Sequence, residues 1–277
     1  MDLVKSHKTF GGETSFWTHL SKSTKTVMRF ATFVPSSRPI RQAIVWLSGL
    51  TCTDENFVVK SGVQRALAES DCMIIAPDTS PRGLNLPGEH ESYDFGSGAG
   101  FYVDATVSDY ASHYRMYSYI VTEITEILGQ HFGVNELSLM GHSMGGHGAL
   151  VIGLRNPALF KHITAFAPIV NPSRVPWGTK AFNGYLGPRS TIDLKTDNWA
   201  TYDACELLKM GHRHPAKIVL YQGSRDEFLG NQLQPEEFCK VATEMGQTHE
   251  LRWCEGYDHS YYFVQSFLPD ALSRILQ

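Results

Sequence analysis

The stretch ELSLMGHSMGGHGALVIGL, residues 136–154, decides the fold. A strand-like apolar run is interrupted by Gly141-His142-Ser143-Met144-Gly145, and a second apolar run with helical character follows. The pentapeptide fits G-x-S-x-G, a pattern that carries meaning only with a strand before it and a helix after it, and both are expected here. A serine on so tight a turn needs glycines beside it, because a Cβ there would collide with the neighbouring strand or helix. The interruption is therefore read as a nucleophile elbow that raises Ser143 at the carboxyl end of a strand.

The rest of the chain supplies a matching frame. Short apolar runs, QAIVWLSG, CMIIAP, HITAFAP and KIVLYQG, alternate with longer amphipathic stretches from about residue 40 onward. That alternation is the sequence form of parallel strands joined by crossover helices. HELRWCEG reads as a further strand, and TKTVMRFATFVP as an antiparallel edge strand with a more polar partner ahead of it. Helices are expected over residues 61–70, 112–132, 145–154, 235–246 and 259–277, the last kinked or ended by Pro269. Two segments, 78–100 and 171–199, read as long irregular loops. Both follow strands, at the carboxyl ends where open α/β sheets place ligands, so they are expected to wall the site. The expected architecture is one α/β domain over residues 1–277, with a mostly parallel sheet flanked by helices on both faces.

Composition narrows the function. The 277 residues are 42% hydrophobic, and 24 basic against 28 acidic residues give a formal charge of −4. This balance offers no electrostatic footprint for nucleic acid or an anionic membrane. Five cysteines without C-x-x-C spacing argue against a disulfide framework or a zinc ribbon and point to a reducing compartment, with the cytoplasm as the expected location. No secretory leader or membrane-spanning run is read. Twelve histidines invite a metal reading, but H-E-x-x-H is absent and none is expected to hold a catalytic metal.

A serine hydroxyl is a weak nucleophile, so Ser143 calls for a histidine base and an orienting carboxylate, in chain order serine, acid, histidine. His147 should face sideways from the elbow helix, His212 and His214 sit in a polar turn expected in solvent, and His249 starts a strand. That leaves His259, in a polar loop between the last strand and the C-terminal helix. Asp226, just past the strand KIVLYQG, is the matching acid. Glu227 should point elsewhere, Asp258 is too near His259 in sequence, and Asp197 and Asp203 are weaker rivals. The oxyanion needs two preset N–H donors, expected from Met144 at the helix start and Leu50 in SGLTCT. Cys52 reads equally as a small buried filler or a reactive thiol at the pocket edge. His142, Trp177 and the tyrosines of YDHSYYF are further candidates for the pocket lining.

The stretches WLSGLTCTDENF, PDTSPRG, GAGFYVDAT, HYRMYSYI, GHSMGGHGAL, AFAPIVNPSRVPWGTKAFNGYLG and EGYDHSYYF resemble the S-formylglutathione hydrolase family, also called esterase D, over nearly the whole chain. The resemblance implies an α/β-hydrolase fold and a cofactor-free serine thioesterase that splits S-formylglutathione into glutathione and formate, completing formaldehyde removal. It carries the triad onto Ser143, Asp226 and His259 and the oxyanion donors onto Leu50 and Met144. Activity on small esters and a homodimer are implied as well. Tyr221 and Arg225 depart from the family pattern around the acid, and GPRSTIDLKTDNW is longer than usual. The alternatives are a general short-chain carboxylesterase with a roomier acyl pocket, a catalytically silent binding module and an acyltransferase on the same elbow.

Overall fold

The computed structural model describes residues 1–189 and 197–276. Strands β1 (Asp2–Thr9), β2 (Gly12–Leu20) and β3 (Val27–Val34) form an antiparallel meander. The apolar runs that follow become β4 (Gln42–Leu47), β5 (Cys72–Pro77), β6 (Glu136–His142), β7 (Phe160–Phe166), β8 (Ile218–Gly223) and β9 (His249–Cys254). Among the described residues these make one nine-stranded sheet, ordered β1-β2-β3-β5-β4-β6-β7-β8-β9 and parallel from β5 through β9. Strands β4, β5, β6 and β8 are buried at nearly every position, so both faces are covered, which is why their sequences run apolar rather than alternating.

β3 is not an edge. It pairs with β2 on one side and β5 on the other, and the exposed β1 takes the edge instead. The C-terminal helix, Tyr261–Ile275, passes through Pro269 without ending, because buried Phe263, Val264, Leu268, Ala271 and Leu272 pin it down on both sides of the proline. The helix expected from residue 112 starts at Met116 and is π-wound over Tyr119–Ile124 before an α-helical close at Thr125–His131.

The 78–100 segment is irregular, as its sequence suggests. The 171–199 segment is not simply a loop, for Pro176–Leu186 is a helix. Pro176 sits in its first turn, where a missing N–H is harmless. Gly178 lies where a Cβ would strike the Pro172 carbonyl, so its glycine serves close packing rather than a break. Residues 190–196, within the stretch read as unusually long, lie outside the described residues. No helix among the described residues is long and apolar enough to cross a membrane.

Candidate active site

Ser143 closes β6 and precedes the elbow helix, Met144–Arg155, with φ +59° and ψ −119°. An L-residue holds such a backbone only when its surroundings force it. Here its N–H donates to the Phe166 carbonyl at 2.9 Å, and its carbonyl accepts from His147 at 3.0 Å and Ile169 at 3.3 Å. A Cβ on Gly141 would overlap the Gly145 carbonyl, one on Gly145 would overlap the Leu47 carbonyl, and one on Gly146 would lie 2.9 Å from Pro168. Backbone meets backbone on every side, which is what the glycine pattern demands.

Asp226 and His259 arrive on two neighbouring turns, after β8 and after β9. The turns are laced together, with the Arg225 N–H donating to the Tyr257 carbonyl at 2.9 Å and Gly223 leaving no space for a Cβ beside that carbonyl. His259 Nδ1 lies 2.6 Å from Asp226 Oδ2. The carboxylate also accepts from Gln222 Nε2 at 3.1 Å and from the Phe228 N–H at 2.9 Å, so the buried acid is satisfied and fixed. These bonds hold the imidazole with Nε2 left for other work. Among the described residues no hydrogen bond joins Ser143 Oγ to His259, though both line one cavity of about 310 Å³. Such contacts commonly tighten only when substrate is bound.

Two rings flank His259. His142 lies with its centroid 4.5 Å away, and Phe228 meets it edge-on at 5.0 Å. Burial first, and then the neighbouring His259, hold the His142 imidazole well below its ordinary pKa. It is therefore neutral and does not repel a proton on His259.

The Leu50 and Met144 N–H groups, one after β4 and one opening the elbow helix, take no acceptor among the described residues. Two free amides on adjacent turns, one helped by a helix dipole, can receive an anionic oxygen. Cys52, His142 and Trp177 all line the cavity, as does Tyr261. Burial pushes the Cys52 thiol upward, partly offset by the Tyr261 hydroxyl, so the thiolate is disfavoured at neutral pH.

Other side chains go elsewhere. His147 is fully buried and its Nε2 bonds the Phe101 carbonyl at 2.9 Å. His214 is not solvated: it is buried, with Nε2 2.8 Å from the Phe160 carbonyl, because its turn folds back onto β7. Asp203 caps the helix Ala204–Lys209, Asp197 pairs with Arg189 at 2.8 Å, and Asp258 caps Ser260. Among the described residues no cluster of three or more metal-ligating side chains occurs.

Sequence reasoning missed Asn56, Lys60, Tyr93 and Phe228, which also line the cavity. The first two ride on the helix Asp54–Lys60, whose start is signalled by the Thr53…Asn56 capping box. Tyr93 had no local signal. It stands over the cavity because its hydroxyl accepts from Trp177 Nε1 at 3.0 Å, a partner 84 residues away.

Comparison with known proteins agrees with this architecture. Residues 21–273 match the family model described as "Putative esterase". The S-formylglutathione hydrolases of Rattus norvegicus and Mus musculus are each 46% identical over 274 residues, 97% of this chain and 95% of theirs. The solved structure of an S-formylglutathione hydrolase from Agrobacterium tumefaciens superposes with a TM-score of 0.93 at 40% identity, covering 99% of this chain and 98% of that one.

Proposed function

The chain belongs to the S-formylglutathione hydrolase family of serine esterases, and from that membership we propose that it hydrolyses S-formylglutathione to glutathione and formate, with Ser143, His259 and Asp226 as its triad. The observation that carries the residue assignment is the 2.6 Å contact of His259 Nδ1 with Asp226, made beside the cavity that holds Ser143.

In the proposed reaction His259 Nε2 takes the Ser143 proton as Oγ attacks the formyl carbon. The oxygen of that carbonyl becomes negative and is received by the Leu50 and Met144 amides. Collapse breaks the carbon–sulfur bond, and the glutathione thiolate leaves with the imidazolium proton available to it. Water then gives a proton to the same imidazole and attacks the formyl ester, releasing formate and restoring the serine hydroxyl. A thiolate departs readily, so the chain's main contribution is orientation and oxyanion stabilisation. A homodimer and a cytoplasmic location are proposed from the resemblance and the cysteine usage; solution mass and cell fractionation test them.

Steady-state kinetics on S-formylglutathione for the parent and Ser143→Ala provide the test. Loss of about 10⁴-fold or more in kcat is expected, with an unchanged melting temperature. Equal activity in both proteins refutes the mechanism. Turnover of acetyl or butyryl aryl esters above that of S-formylglutathione would favour the general carboxylesterase instead.

A further inference from the structure

We infer that Lys60 binds the glycyl carboxylate of the glutathione carrier and so sets the preference for this thioester over neutral esters; the inference rests on the thioesterase reading above. Lys60 ends the helix Asp54–Lys60 and is exposed at the cavity that Ser143 and His259 share. Among the described residues lining that cavity, it is the sole lysine, arginine, aspartate or glutamate. No carboxylate among the described residues lies within ion-pair distance of it, whereas its neighbour Glu55 is taken by Lys5 at 2.9 Å. Its Nζ stands 5.6 Å from the centre of the Tyr261 ring, a placement that steadies the ammonium at the cavity wall.

The substrate's charge pattern explains why one cation there matters. Glutathione carries two carboxylates and one ammonium, and the ammonium sits beside the γ-glutamyl carboxylate, largely balancing it. The glycyl carboxylate is the isolated negative charge. It follows the reacting sulfur by about two residues' reach, roughly 7 Å when extended, which suits a cation on the wall of the same cavity. The chain's formal charge of −4 gives no general attraction for an anion, so a local cation must supply it. A purely structural role, a lysine complementing the carbonyl end of its own helix, would not distinguish one substrate from another.

Kinetics on S-formylglutathione, its glycyl monoethyl ester and 4-nitrophenyl acetate test this with the parent, Lys60→Met and Lys60→Arg. Lys60→Met should raise KM for S-formylglutathione about 3- to 10-fold with kcat within about twofold, the range between an exposed ion pair and a charge-assisted hydrogen bond. Its hydrolysis of the neutral ester should be unchanged, and Lys60→Arg should restore most of the loss. Esterifying the glycyl carboxylate should cost the parent as much as the substitution does and cost Lys60→Met nothing more. Unchanged KM, an equal loss on 4-nitrophenyl acetate, or a full esterification cost in Lys60→Met overturns the inference. A parent enzyme inactive on S-formylglutathione brings down the thioesterase reading first, before any variant is compared.

Discussion

The floor of the cavity, Gly141 to Gly146, takes its shape from backbone packed on backbone, whereas its wall, the 78–100 segment and the helix Pro176–Leu186, hangs on side-chain hydrogen bonds. On the floor the neighbours of the missing Cβ atoms are mostly main-chain atoms of β4, the elbow helix and Pro168. On the wall the fastenings are Tyr114 to buried Glu89 at 2.6 Å, Tyr185 bonded to both the Gly96 amide and the Ala99 carbonyl, Lys180 to Asp94, and Trp177 to Tyr93. Main-chain packing has no rotamers and cannot adjust, while hydrogen-bonded side chains can re-pair one at a time. Substitutions on the floor should therefore cost the fold, and substitutions on the wall should cost substrate binding.

Gly145→Ala is the severest way to break that contrast. The added methyl would occupy the position of the Leu47 carbonyl and sit 2.7 Å from the Ser48 carbonyl oxygen. Strand β4 or the elbow helix must shift, and a loss of about 4 kcal/mol or more in unfolding free energy is expected. Gly230→Ala, where nothing lies within 4 Å, is the control and should change stability little. Denaturant titration of both proteins decides it. A Gly145→Ala protein as stable as the control would mean that the floor yields as the wall does.

His147 is the bolt between the two regions, tying the elbow helix to Phe101 just past the 78–100 segment. Burial pushes its imidazole down to about 4, from an ordinary value of 6.5. The unfolded chain thus binds this proton more readily than the folded one between those values. Stability is fully present above pH 6.5 and drains away as pH falls towards 4, by about 3 kcal/mol for this group alone. His147→Gln should flatten the difference between unfolding free energies measured at pH 7 and pH 4.5. An equally steep profile in the variant would remove His147 from the account.

The same contrast explains what could be read from the chain. The floor was legible because steric need leaves a local mark, glycines around a serine between two apolar runs, and β4, β6 and β8 were legible because burial on both faces leaves continuous apolar stretches. The order serine, acid, histidine points to Asp226 and His259 without contacts, since each follows a strand, and the structure pairs those two side chains. The wall was not legible. Pro176–Leu186 reads as broken because Gly178 answers to Pro172 and Gly184 to the Phe95 ring, partners that no local pattern reveals. His214 looked solvated because the Phe160 carbonyl that satisfies it lies 54 residues away. β3 looked like an edge because its burial depends on β5, more than forty residues later.

Trp177→Phe probes the wall at its lightest fastening and should produce the smallest effect. It keeps an aromatic ring near Phe228, whose centroid lies 4.7 Å from the indole, and removes the donor that holds the Tyr93 hydroxyl together with part of the buried indole's volume. Tyr93 is 58% exposed, so water can replace the lost partner and the hydrogen bond's own net cost should be about 1 kcal/mol or less. The elbow and the Asp226–His259 contact are untouched, so kcat should hold while KM for S-formylglutathione rises about two- to threefold, as that small energy allows. Tyr93→Phe removes the same bond from its other end. The double variant should therefore be no worse than Trp177→Phe alone, because the shared bond is already lost there and does not count twice. Additive losses would show that Tyr93 and Trp177 contact substrate separately, and a fall in kcat would show that the wall reaches the chemistry after all.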